Sequence, residues 1–151
     1  MPNETKFTPF RIYPGSKRGC FVVVSCFDTS KAMHRYCKKN CQFYMGRDAA
    51  GVCHSYTKAR VYANGRRRIQ PQIGEIHLCS SHSDAGTVAH ECYHAALHYW
   101  RRKTRKSDVV IHDDNDKGRD GTEEQFGDVL GRLVGQTIDG LYACGFYGGE
   151  Q

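Results

Sequence analysis

At 151 residues, with 39% hydrophobic and 25% charged side chains, the chain has the length and composition of one ordinary globular domain with a buried core. No apolar run approaches the roughly 18 residues of a membrane span, and the opening MPNETKFTPF lacks the basic and apolar parts of a secretory signal, so a cytoplasmic location without membrane contact is expected. The formal net charge of +6 gathers in GRRRIQ (Gly65 to Gln70) and WRRKTRK (Trp100 to Lys106). Through Arg66, Arg67, Arg68, Arg101 and Arg102 these clusters form either a solvated basic face or a contact for nucleic-acid phosphates. Few aromatics interleave with them, which excludes an evident stacking platform for single strands.

The first fifteen residues hold three of the four prolines and read as an irregular arm. RGCFVVVSCF, rich in β-branched and aromatic residues, reads as a buried strand. DTSKAMHRYCKKNCQFY opens on the capping types Asp28, Thr29 and Ser30 and reads as a helix. GVCHSYTKARVYA (Gly51 to Ala63) alternates as one strand, and NGRRRIQPQ supplies an Asn-Gly hairpin signal. In the next strand, GEIHLCSS, Ile76 and Leu78 share one face while Glu75, His77 and Cys79 share the other. SDAGTVAHECYHAALHYWRRK begins with Ser83 and Asp84 and ends in a basic turn, a helix favourable to its dipole at both ends. After a polar loop, TEEQFGDVLGRLVGQTIDGLYACG is a second long helix, with an apolar stripe through Phe126, Val129, Leu130, Leu133, Val134, Ile138 and Leu141. Gly127, Gly131 and Gly135 lie four apart on one row. Each costs helix propensity, so the row is expected to admit a close neighbour. The whole is expected to be an α+β domain spanning residues 1–151.

Eight cysteines without a secretory signal point to free thiols or metal ligands rather than disulfides. Cys20, Cys26, Cys79, Cys92 and Cys144 read as small buried hydrophobes. His34, Cys37, Cys41, Cys53 and His54 form a tighter group, from which Cys37, Cys41 and Cys53 can hold a second, structural zinc, although the spacing is irregular for such sites.

The chemistry-bearing motif is His90-Glu91-Cys92-Tyr93-His94. Residues four apart share a helix face, so His90 and His94 can offer two imidazole nitrogens to one ion. Glu91, one step round the helix, cannot join them without strain but can reach a water on the ion's open side, the position of a general base. Catalytic zinc takes three protein ligands plus water. The last helix supplies carboxylates: Glu124 is the expected third ligand, ahead of Glu123, and Asp128, one turn on, can accept the second ring N–H of a ligand histidine.

This constellation resembles the gluzincin branch of the zincin metallopeptidases, which read His-Glu-x-x-His on one helix and Glu-x-x-x-Asp on a following one. Small intracellular members of the ImmA/IrrE type look closest, with SprT-like proteases next. The resemblance covers Gly74 to Tyr142, about half the chain. It implies a minimal zincin-like fold: a small, mostly antiparallel sheet with one helix before and two zinc-site helices after the last strands. It also implies one catalytic Zn2+ on His90, His94 and Glu124, with Glu91 as general base on a protein or peptide substrate, and a strand, GEIHLCSS, that pairs with the substrate at the sheet edge. His98 reads as an outer partner of the site rather than a ligand, and His112 and Tyr142 are candidate oxyanion donors. The metzincin extension is not indicated, since its glycine and third histidine fall on Leu97 and Trp100. In a SprT-like reading His112 would replace the glutamate ligand. The rival expectations are a nucleic-acid-associated or regulatory protein that keeps the fold without proteolysis, and a partner-binding protein in which zinc is only structural.

Overall fold

A computed structural model describes residues 7–40, 49–56, 59–61, 67–69, 71–104 and 122–147, with 59–61, 67–69 and residue 122 described by their backbone. In chain order the elements are β1 (Phe10–Ile12), β2 (Phe21–Phe27), α1 (Ser30–Asn40), β3 (Gly51–Ser55), β4 (Ala59–Val61), β5 (Arg67–Ile69), β6 (Gln72–Cys79), α2 (Ala85–Thr104) and α3 (Thr122–Ala143). The architecture is α+β, with a four-stranded sheet in the order β1-β2-β6-β3 and a separate β4–β5 ladder. The sheet's outer pairings are antiparallel as expected, but its central pairing, β2 with β6, is parallel. The sheet is therefore mixed, because the chain leaves β2 through α1 before it returns.

Three expectations about strands need correction. The proline-bearing arm is not wholly irregular: Phe10–Ile12 adds a strand to β2. Tyr13 donates its N–H to Gln136 Oε1 while Gln136 Nε2 donates to the Tyr13 carbonyl, both at 2.9 Å, and this pair of bonds fixes the arm to α3. The stretch from Gly51 is not one strand. β3 stops at Ser55, and the later part contributes β4, which pairs antiparallel with β5, while Asn64 and Gly65 lie outside the described residues. Finally, β6 is not an edge. It lies between β2 and β3, and β1 and β3 are the outer strands among the described residues.

Strand alternation divides the side chains between two faces. Val22, Val24, Cys26, Ile76 and Leu78 pack with Val88, Cys92, Ala96 and Trp100 of α2 and with Phe126, Leu133 and Leu141 of α3. Each large side chain fully buried there contributes about 1.5–3 kcal/mol. The opposite face is smaller: Phe27 and Cys79 meet Met33 and Cys37 of α1. Ile76 and Leu78 thus part from His77 and Cys79 as the alternation predicts.

Local chemistry sets the helix ends. Thr29 Oγ1 accepts the Ala32 N–H, and Asp84 Oδ1 accepts the Thr87 N–H at 2.8 Å, so both helices start on a side-chain cap. α3 ends where Gly145 takes φ +80°, with Phe146 N–H on the Leu141 carbonyl and Gly145 N–H on the Tyr142 carbonyl, a Schellman closure. The row Gly127, Gly131 and Gly135 is not a packing seam. All three are exposed, and a Cβ on any of them would meet nothing within 4 Å among the described residues. The close approach is made instead at Gly140, where the Phe10 ring occupies the space a side chain would need.

Candidate functional site

α2 runs unbroken from its Asp84 cap to Thr104 and carries the motif in mid-helix. His90 and His94 lie on its exposed face, with their Nε2 atoms 3.1 Å apart and their rings nearly perpendicular, at 89°. Two nitrogens bound tetrahedrally at about 2.0–2.1 Å from one zinc would stand roughly 3.3 Å apart. The pair is therefore already spaced for a common ion. Partial burial, then the neighbouring His90, hold the His94 pKa below the usual imidazole range, which favours the neutral form that ligates metals.

Glu91 packs toward β3, is 6% exposed, and lines one cleft with His94. Burial pushes its carboxyl pKa up, opposed by His90 and by a hydrogen bond from the Cys53 N–H. The close approach of α2 to β3 that buries it depends on Gly51: a Cβ there would come within 2.9 Å of Thr87 Cγ2 and 3.0 Å of Glu91 Cγ. Between the helix and the strand lies a cleft of about 380 Å³, walled by Val52, Cys53 and Ser55 on one side and by Glu91, His94, Leu97, His98 and Arg101 on the other. His98 Nε2 donates to the Tyr56 carbonyl at 3.0 Å, so it braces the cleft wall rather than turning toward His90. The Cys53 thiol is no nucleophile at neutral pH, since burial and then Glu91 push its pKa up to about 12.

The α3 carboxylates are not gathered in this way. Among the described residues, no carboxylate oxygen joins His90 and His94 in a group whose donor atoms lie within 4.8 Å of one another. Phe126 faces α2, stacking edge-on to Tyr93 and Trp100. At about 100° per residue, Glu124 stands roughly 200° round the helix from Phe126, on the side turned away from α2, whereas Glu123 stands only about 60° away. Asp128 lines a different cavity, of about 410 Å³, with Tyr99, Lys103 and Arg132. It is not placed to hold either histidine. Tyr142 is exposed and packs on Tyr147, outside the cleft. Of the basic residues, Arg101 lines the cleft, Arg102 is half-buried on α2, and Arg67 and Arg68 fall in β5. His112, Arg66 and Cys41 lie outside the described residues.

On the other face of the sheet, Cys37 of α1, His54 of β3 and His77 of β6 form a buried group able to hold a metal ion, with donor atoms all within 4.8 Å of one another. The His54 and His77 rings meet at 5.2 Å. Cys37 and His54 belong to the cysteine-rich set picked out above, but Cys53 does not join them. Successive strand residues point to opposite faces, so Cys53 looks into the α2 cleft and His54 into this one. The expected Cys37, Cys41 and Cys53 site is corrected accordingly, and His77 is the member that sequence reasoning missed. The available signal was its place on the polar face of GEIHLCSS. His77 Nε2 and Glu75 Oε2 are 3.1 Å apart, and Gln72 Nε2 also donates to Glu75. Those bonds, that from His77 first, hold the Glu75 pKa below the ordinary carboxylate range against its partial burial. Among the described residues the buried His77 Nδ1 has no hydrogen-bond partner, a state that costs about 1–3 kcal/mol when nothing fills it.

No helix among the described residues is long and apolar enough to cross a membrane. Comparison with protein-family models, curated proteins and solved structures finds no match to this chain.

Proposed function

We propose that the cleft between α2 and β3 is the active site of a zinc-dependent peptide hydrolase. The observation that carries this reading is the convergence of the His90 and His94 Nε2 atoms, 3.1 Å apart, beside a glutamate whose burial raises its pKa. The resemblance of the motif to zincin metallopeptidases supports it, as does the β3 edge along the cleft.

In this reading His90 and His94 would supply two ligands; no α3 carboxylate stands with them among the described residues, and helical phase makes Glu123 rather than Glu124 the candidate that would complete the set. A zinc ion there supplies Lewis acidity toward a water and toward a peptide carbonyl. Glu91 takes the proton from the attacking water and returns it to the departing amine, and its raised pKa brings it nearer the working pH than a solvated glutamate. Because β6 is enclosed, the strand that receives an extended substrate is β3, whose outer edge offers main-chain hydrogen bonds. Arg101 adds a cation at the cleft wall that suits an acidic group on the substrate.

The test is metal content and cleavage together. One equivalent of zinc should be lost in His90→Ala and in Glu123→Ala but kept in Glu124→Ala. Cleavage of an unstructured protein should vanish in Glu91→Gln. Salt-dependent DNA binding, unaltered by Glu91→Gln and without cleavage, would instead identify a nucleic-acid-associated module.

A further inference from the structure

We propose that Cys37, His54 and His77 form a second metal site, one that holds zinc or a similar borderline-soft divalent cation and fastens α1 to the sheet. The three donors come from three separate elements, α1, β3 and β6, and they converge although nothing in the chain between them requires it. All three residues are buried, Cys37 and His77 completely. A thiolate with two imidazoles is the donor chemistry of zinc, not of magnesium or calcium, which take oxygen.

The state of His77 is the second, independent observation. Its Nε2 lies 3.1 Å from Glu75 Oε2, and a carboxylate can only accept, so Nε2 carries the proton and Nδ1, buried and without a hydrogen-bond partner among the described residues, keeps a free lone pair. A carboxylate behind a ligating imidazole is the usual outer support of a metal site. Phe27 and Tyr36 wall the His77 ring at 5.9 and 5.4 Å, so the site is enclosed and remote from any substrate. That enclosure assigns it a structural role. It shares no residue with the α2 cleft, and the sheet lies between them, because His54 and Cys53 point to opposite faces of β3.

The experiment uses the full chain, stripped of metal with a chelator under reducing conditions and titrated with Co2+, which reports thiolate ligation by a near-ultraviolet charge-transfer band. The expected result is a thiolate–cobalt band in the wild type that persists in His90→Ala and disappears in Cys37→Ser and His77→Gln. The intensity of the visible cobalt bands reads whether the ion is four-coordinate. Glu75→Gln should weaken Co2+ affinity about 10–100-fold while keeping the band. Should Cys37→Ser and His77→Gln fail to fold, as judged by circular dichroism, Glu75→Gln decides: weakened affinity supports the site and unchanged affinity overturns it. Absence of the band in the wild type, or its survival at full strength in folded Cys37→Ser, overturns the proposal. The outcomes for the two sites separate cleanly. One cobalt equivalent that is insensitive to His90→Ala but lost in Cys37→Ser would sink the hydrolase reading alone, and the reverse pattern would sink this one.

Discussion

Gly51→Ala probes the joint on which the cleft depends. A Cβ at this position would lie 2.9 Å from Thr87 Cγ2, 3.0 Å from Glu91 Cγ and 3.2 Å from Leu78 Cδ2, all tighter than ordinary contact. Thr87 and Glu91 belong to α2 and Leu78 to β6, so no single side chain can swing aside to clear the space. Either α2 lifts off β3 or the edge strand bends. Overpacking of this kind costs about 1–3 kcal/mol, and the stiffer unfolded chain returns about 0.4–1 kcal/mol of it. A net loss of about 1–2 kcal/mol lowers the melting temperature by roughly 2–8 °C for a chain of this size. Thr87→Ser removes the nearest atom and keeps the hydroxyl, so the double variant should recover at least about 0.5 kcal/mol beyond additivity. Calorimetry on the four members of the cycle measures this. If the cleft hydrolyses peptides, Gly51→Ala should also lower kcat by about 10–100-fold, because it displaces Glu91. An additive cycle, or a Gly51→Ala variant as stable as the wild type, would refute the packing argument.

Glu91→Gln should raise the stability of the metal-free protein at neutral pH while abolishing any hydrolysis. Burial raises the Glu91 pKa in the folded state, so its folded-state preference for the proton is satisfied below the unfolded value and lost as pH rises through the folded one. The gain should therefore shrink toward pH 4 in urea titrations, and a loss of stability at pH 7 would refute it. For the metal-free protein, acid should destabilise in the histidine range. Burial is the leading cause that lowers the pKa of His54, His94 and His98, so the unfolded chain binds more protons just below its own value of about 6.5. Stability then rises with pH up to about 6.5 and levels off above it. Melting curves from pH 5 to 8 that slope the other way would contradict this. On α3, Gly131→Ala should stabilise by about 0.5–1 kcal/mol, since the position is exposed and gains only helix propensity. Destabilisation there would mean that something does pack on the glycine row.

The local signals in the chain were sufficient for much of the secondary structure. The β-branched run Phe21–Phe27, the caps at Thr29 and Asp84, and the apolar stripe of α3 all express short-range preferences, and each produced the expected element. The pairing of His90 with His94 was equally legible, because a helix fixes which residues are neighbours four positions apart. Which face of α3 meets α2 was not, because the apolar stripe is broad and only packing of Phe126 against Tyr93 and Trp100 sets the helix's rotation. That rotation carries Glu124 and Asp128 away from the histidines. The same limit hid the second cluster. Cys37, His54 and His77 are 17 and 23 residues apart in sequence, and they meet only because β6 inserts between β2 and β3, a strand order that no local pattern encodes. Alternation decides which side each strand residue takes, but the tertiary arrangement alone decides what waits for it there.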